Sequence, residues 1–174
     1  MFYKELETER LILKNISTKD RDFIFEQFSN DKVNEYLYDA EPLTDISGAD
    51  DIIEFYLQPE PRGQHRWIIT RQSDQVKLGT CGFHCLDNTK GEVEIGFDLH
   101  DRFWGKGFAR EAVGEIISFA KNCMKIKQIK AIIYIKNERS IKVVEHFGFK
   151  KTGEQTDTFR NQEYLHYIYI LELK

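Results

Sequence analysis

Three consecutive stretches constrain the fold more than anything else in the chain. "EVEIGFDL" (residues 92–99) puts Val93, Ile95, Phe97 and Leu99 on one side and Glu92, Glu94, Gly96 and Asp98 on the other. That is the period of a strand with one buried face. "FAREAVGEIISFAKNCM" (108–124) places Ala109, Ala112, Val113, Ile116, Ile117, Ala120 and Met124 at helical spacing. "IKAIIYIK" (129–136) is nearly continuous in apolar residues, as a strand covered on both faces requires. A strand, a helix and a strand in this order pair in parallel through a right-handed crossover. The expected product is an α/β mixed sheet with helices on both faces.

The flanking sequence adds mostly antiparallel neighbours. "RLILKNIS" (10–17) reads as a first strand. "STKDRDFIFEQFSN" (17–30) reads as a helix with Ser17 or Thr18 as its cap, Asp20 and Asp22 in its first turn, and Phe23 and Phe28 on an apolar stripe. "DKVNEYLY" predicts a further helical turn, and "PLTDISGADDIIEFYLQ" (42–58) a second main helix stopped by "PEPRG". Strands at 65–70, 77–86 and 92–99 are joined by the short polar segments "RQSDQ" and "DNTKG", which favour hairpins. After the crossover, "NERSIKVVEHFGF" predicts a helix capped by Asn137 and closed by Gly148. Two late strands follow, at 149–156 and 163–173. The sum is a sheet of about seven strands in one domain spanning residues 1–174.

Composition narrows the function. The 174 residues are 41% hydrophobic, with 13 Phe, 8 Tyr and only 3 Pro, enough for one sizeable core. The formal net charge is -4, the wrong sign for nucleic-acid binding. No apolar run approaches the roughly 20 residues of a membrane span, and "MFYKELETER" has no apolar signal core, so no membrane partner is expected and the cytoplasm is the expected location. The three cysteines are an odd count without a secretory context, against a disulfide framework. Cys81 and Cys85 flank His84 on what reads as one face of a strand. No second ligand pair with zinc-like spacing follows, so no metal is expected.

"DLHDRFWGKGFAREA" carries the chemistry. Gly105 and Gly107 sit where the strand at 92–99 hands over to the helix at 108–124, with Arg102, Lys106 and Arg110 around them and Asp98 and Asp101 partly offsetting their charge. A helix start projects unpaired N–H groups and the positive end of the helix dipole. A Gly-x-Gly turn permits positive φ and lets an anion approach that backbone. The pattern is not a P-loop, and Arg110 stands where a dinucleotide fingerprint needs its third glycine. Gly-x-Gly by itself also serves ordinary strand-to-helix turns. Gly96 would leave a slot beside the strand for a thin ligand arm, with Glu94 next to it. A bulge at Gly96 and a solvated Glu94 are the plainer readings of the same residues.

These residues carry a resemblance. "RFWGKGFAREA" resembles the acyl-CoA signature [Q/R]-x-x-G-x-[G/A] of the GNAT acetyltransferase superfamily, filled by Arg102, Gly105 and Gly107. "EIGFDLHDRFWGKGFAREAV", "NERSIKVVEHFGFKKTGE" and the opening "LETERLILKNISTKD" resemble its ribosomal-protein N-terminal acetyltransferase-like branch. The resemblance covers nearly the whole chain and is weakest over residues 31–66, where this superfamily builds its acceptor site. It implies a GNAT fold whose sheet splays between the strands at 92–99 and 129–136. It implies acetyl-CoA as cosubstrate, its pantetheine arm along the backbone of Phe97, Asp98 and Leu99. The pyrophosphate would rest on amides of Gly105, Lys106, Gly107, Phe108, Ala109 and Arg110, with side-chain charge from Lys106 and Arg110, and Asn137 would contact the cofactor. Direct attack by an amine on the thioester needs a proton acceptor, for which Glu94 is the candidate. A backbone N–H near Phe97 would steady the developing oxyanion. Many members protonate the leaving thiolate with a Tyr on the later helix. Val143, Val144 and Glu145 stand there instead, and Ser140 takes the role, or serves only as a first-turn helix serine bonded to backbone.

The acceptor stays open at this point. A protein or peptide α-amine is favoured. A small amine is the alternative, suited by Asp39, Glu41, Asp45, Asp50, Asp51 and Glu54. A non-catalytic acyl-CoA sensor is the third. Trp67 and Trp104 are candidates for an acceptor or cofactor wall, with core packing the preferred reading of Trp67 and anchoring of the glycine loop that of Trp104. His84, His146 and His166 rank below Glu94 as bases, and a homodimer is possible.

Overall fold

The computed structural model describes residues 3–37 and 40–173. In chain order, β1 (Leu6–Glu7) and β2 (Leu11–Asn15) precede α1 (Arg21–Phe28), α2 (Asp31–Asn34) and α3 (Ser47–Tyr56). Then come β3 (His65–Arg71), β4 (Lys77–Asp87), β5 (Glu92–Leu99), α4 (Phe108–Asn122), β6 (Gln128–Tyr134), α5 (Glu138–His146), β7 (Lys150–Phe159) and β8 (Gln162–Glu172). One sheet of eight strands runs in the order β1-β2-β3-β4-β5-β6-β8-β7. The strand beyond the expected seven is β1, whose two residues pair with Leu13 and Ile12 and are too few to show a period.

Every strand pairing is antiparallel except β5 with β6, the pair that the crossover helix α4 joins. That parallel pairing is short: Glu92 faces Gln128, Val93 faces Ile129, Glu94 faces Lys130, and there it ends. Past this rung β5 keeps only β4, as far as Leu99 opposite Gly79. β6 keeps only β8, as far as Tyr134 opposite His166. The sheet therefore forks in its middle.

Two cores hold the sheet. On one face Ala112, Val113, Ile116 and Ala120 of α4 are wholly buried against Leu11, Leu13, Ile69 and Ile129. On the other, α1 and α3 bury Phe23, Ile24, Ala49, Ile53 and Tyr56 against Ile16 and Ile68. Trp67 is fully buried, its indole N–H donating to the Lys4 carbonyl at 2.9 Å. Local chemistry sets the element ends. Asp20 accepts from Ser17 N and Oγ, both at 2.8 Å, ahead of α1. α3 starts at Ser47 rather than 42, because Asp45 accepts from Ser47 N at 2.8 Å and Oγ at 2.6 Å and turns the chain first. Cys81 and Cys85 do not share a face as expected: Cys81 is buried, whereas Cys85 is exposed at φ 50, where the β4 register shifts between His84 and Asp87.

His65 is a buried imidazole held neutral. Arg62 Nη2, which can only donate, lies 3.0 Å from Nδ1, so Nε2–H donates to Asn15 Oδ1 at 2.9 Å. The ring stacks on Tyr3 at 4.1 Å. Burial first, and then the Arg62 charge, push its pKa down to about 3. An unfolded imidazole titrates near 6.5, so between that value and about 3 the unfolded chain takes up a proton that the native site refuses. The resulting stability is present above pH 6.5 and is lost as pH falls, by about 1.4 kcal/mol per unit. Denaturant unfolding at pH 7 and pH 5 should show His65→Gln losing about 2 kcal/mol less than the native protein over that interval. Identical pH dependence of the two proteins would contradict this.

Candidate active site

The fork opens into a cavity of about 390 Å³. Phe97, Asp98 and Leu99 of β5 form one wall, and Asn137, Ser140 and Val143 at the start of α5 form the opposite one. The turn before α4 forms the end, and Val33 and Tyr36, from α2 and the turn after it, lie across the mouth. A β5 edge without a neighbouring strand offers backbone hydrogen-bonding groups to whatever enters, since such groups are seldom left unpaired when buried.

The turn has the geometry its glycines require. Gly105 has φ 73 and Gly107 φ 81, both left-handed, where a side chain is strained. Gly107 is the N-cap of α4 and has no side chain to close the helix start, and among the described residues no side-chain hydrogen bond reaches the amides of Phe108, Ala109 and Arg110. The contrast with α5 is direct: there the Asn137 side chain accepts from Ser140 N at 3.2 Å and closes the helix start. Left-handed glycines, an uncapped helix start and a separated pair of strands fit a long thin ligand with a diphosphate at one end.

The structure gathers most of the sequence candidates. Phe97, Asp98, Leu99, Gly105, Gly107, Phe108, Ala109, Arg110 and Asn137 all line the cavity, and so does Ser140. Arg102 and Lys106 stand outside its lining. Arg102 pairs with Glu26 at 3.2 Å, and Lys106 Nζ donates to the Arg102 carbonyl at 2.9 Å. Their side chains brace the turn from outside. Glu94 is also outside the lining. It sits on the last paired rung, its carboxylate 3.0 Å from Lys130 Nζ. Gly96 lies outside the cavity lining; a side chain there would stand in ordinary contact with His84 Nε2 at 3.4 Å, and no bulge occurs, since Gly96 pairs in register with Gly82.

Asp98 does not offset the cationic turn as expected. Its carboxylate is drawn the other way, accepting from Thr80 Oγ1 at 2.5 Å, Gln27 Nε2 at 2.7 Å, Thr80 N at 3.2 Å and Arg66 Nη1 at 3.3 Å. Burial pushes its pKa up, against the Arg66 charge and these hydrogen bonds. Arg66 in turn donates to the Tyr56 hydroxyl at 2.8 Å. This buried network ties β5 to β4 and α1 at the point where β6 has left it.

Sequence reasoning missed Tyr36 and Arg139; Trp104 does both things the sequence allowed it, anchoring the loop and lining the wall. Trp104 donates its indole N–H to the Leu99 carbonyl at 2.8 Å, and the Arg139 guanidinium lies 3.8 Å from the Trp104 ring. Trp104, Arg139 and Tyr36 all line the cavity. The spacing of Val33, Tyr36 and Leu37, one helical face, was the signal for α2. Three of the six acidic residues expected to attract a cationic acceptor are engaged. Glu41 pairs with Arg160, Asp50 with Arg21 at 2.6 Å, and Asp45 caps Ser47. Asp51 and Glu54 are exposed, and Asp39 lies outside the described residues.

A forked sheet with a glycine-capped helix start at one end of its gap is suited to a long thin ligand that carries an anionic group. The family described as the acetyltransferase (GNAT) domain matches residues 10–150. An uncharacterized N-acetyltransferase, p20, of Bacillus licheniformis is 35% identical over 97% of this chain and 94% of its own length. Among solved structures, RimL, described as a ribosomal L7/L12 alpha-N-protein acetyltransferase in complex with coenzyme A, superposes with a TM-score of 0.88 at 14% identity, covering 98% of both chains. A spermidine N-acetyltransferase from Vibrio cholerae in complex with CoA and spermine gives 0.84 at 15% identity, covering 95% of this chain and 97% of its own. At such identities these two speak for the fold alone. The chain belongs to the GNAT acetyltransferase family; it is an acyltransferase, and acetyl-CoA is its cosubstrate.

The turn geometry carries a test. Gly107→Val places a β-branched side chain at φ 81, at a cost of about 1–3 kcal/mol, and blocks approach to the uncapped amides. Acetyl-CoA affinity measured by calorimetry should fall at least about tenfold. Unchanged affinity would remove the turn from the binding site.

Proposed function

We propose that the enzyme acetylates the α-amine at the N-terminus of a protein or peptide, in the manner of the ribosomal-protein N-terminal acetyltransferase-like branch. The observation that carries this reading is the state of the acidic residues on the acceptor side. Glu41, Asp45 and Asp50 are held by Arg160, Ser47 and Arg21, which takes three carboxylates out of the cluster a polycation would need and leaves Asp51 and Glu54 exposed. A single α-amine needs no such cluster.

The proton chemistry agrees. At pH 7 roughly 10% of an α-amine is neutral, against roughly 0.04% of a lysine-type amine, so an α-amine asks much less of its base. Glu94 suits that modest task. Its carboxylate lies 3.0 Å from Lys130 Nζ on the last paired rung, outside the cavity lining, so it takes the proton through water. Acetyl-CoA supplies the activated acetyl group. The backbone of Phe97, Asp98 and Leu99 orients it, the amides of Gly107, Phe108, Ala109 and Arg110 take its diphosphate, and Asn137 contacts it beside the α5 start. Ser140, whose side chain belongs to the cavity wall, gives a hydrogen bond to the departing thiolate. Arg139 and Trp104 keep that wall closed.

Thiol release with a panel of peptides and small amines tests the reading. At pH 7.5 the kcat/KM for peptide α-amines should exceed that for spermidine by at least about tenfold. The reverse order would overturn the assignment. Ser140→Ala should lower kcat by about 10–100-fold with acetyl-CoA affinity kept, and Glu94→Gln should shift the acid limb of the pH–rate profile. Wild-type turnover across the pH range in both variants would reject both roles.

A further inference from the structure

Arg10 stands in the loop between β1 and β2, 96 residues before the glycine turn, yet its side chain is built into that turn. Its Nη1 donates to the Lys106 carbonyl at 3.1 Å, its guanidinium covers the Phe108 ring at 4.6 Å, and a side chain at Gly107 would meet its Nη2 at 3.4 Å. The same residue grips Glu111 in the first turn of α4: Nε reaches Oε2 at 2.6 Å and the backbone N reaches Oε1 at 2.8 Å. Thr8 Oγ1 adds a third bond to Oε1 at 2.5 Å.

Glu111 is awkward where it stands. A carboxylate in the first turn suits the helix dipole, but it lies beside the amides that the proposed reading gives to a diphosphate. Two like charges in one partly desolvated place repel. Burial raises the Glu111 pKa, but the bonds from Thr8 and Arg10 and the Arg10 charge outweigh it and hold the carboxyl below its ordinary value, so it is charged at neutral pH.

We propose that Arg10 is a positioning residue for the cosubstrate: it fixes the glycine turn through the Lys106 carbonyl and cancels the Glu111 charge beneath the diphosphate. The proposal rests on the reading of the turn as the diphosphate site. Its two parts make a signature that a merely structural contact does not. Removing Arg10 alone exposes the Glu111 charge to the ligand, and removing that charge as well restores part of the loss.

The test is acetyl-CoA affinity by calorimetry at low ionic strength, with Tm measured on the same samples. Arg10→Ala should weaken binding about tenfold. The double variant Arg10→Ala with Glu111→Gln should bind at least about threefold more tightly than Arg10→Ala, the remaining deficit being the lost bond to the Lys106 carbonyl. Arg10→Lys, which keeps charge but not the planar fork, should fall between, and with Glu111→Gln it repeats the comparison if the alanine variant does not fold. Wild-type affinity in Arg10→Ala, or a loss that Glu111→Gln does not relieve, overturns the proposal. The Gly107→Val protein separates the two levels. If it alone loses affinity, the turn stands and the role of Arg10 falls; if neither variant loses affinity, the turn falls too.

Discussion

The architecture depends on one interruption. The parallel pairing of β5 with β6 stops at Glu94 and Lys130 after three rungs, and the candidate cosubstrate cavity lies in the gap that follows. An interrupted sheet exposes backbone donors and acceptors on both lips, a costly state unless the strands are held from their far sides. Here β6 is held by β8 along its whole length. β5 is held by β4 and by the Asp98 carboxylate, which binds Thr80, Gln27 and Arg66 behind it. The Glu94–Lys130 ion pair marks the last closed rung. The gap is thus a rigid, preformed opening of the kind in which small-molecule sites are found.

The two helices flanking the gap begin in opposite ways, and the difference is chemical. α5 begins with an asparagine that caps its own amide. α4 begins with a left-handed glycine that caps nothing. A negatively charged group has one helix start to choose. Arg139 of α5 reaches back over Trp104 of the turn, and Trp104 in turn holds the Leu99 carbonyl. The walls of the cavity are therefore tied to each other and to the end of β5.

Much of this was legible in the sequence, for reasons that can be named. The crossover was readable from the apolar run at 129–136, although the structure buries one face more fully than the other: Ile129, Ala131 and Ile133 are buried, whereas Lys130, Ile132 and Tyr134 are half-exposed. The glycine turn was readable because only positive φ calls for glycine at 105 and 107. Wall residues such as Ser140 and Asn137 were placed through family resemblance and not through periodicity. What stayed hidden depends on side-chain direction across strands. Gly96 read as a slot for a ligand arm because nothing in one strand shows that His84 from the next borders it. Asp98 read as part of the turn's charge balance because Arg66 is far away in sequence. The two-residue β1 and the grip of Arg10 on residues 106–111 have no local periodicity to announce them.

The central claim is that the interrupted strand pair and the uncapped helix start together receive one ligand. Amide hydrogen exchange with and without acetyl-CoA measures it at single-residue level. The account predicts slowed exchange on ligand addition at residues 97–99 and 107–110, with the closed rung at residues 128–130 unchanged. Slowing confined to other parts of the chain, with those two segments exchanging as they do alone, would contradict it.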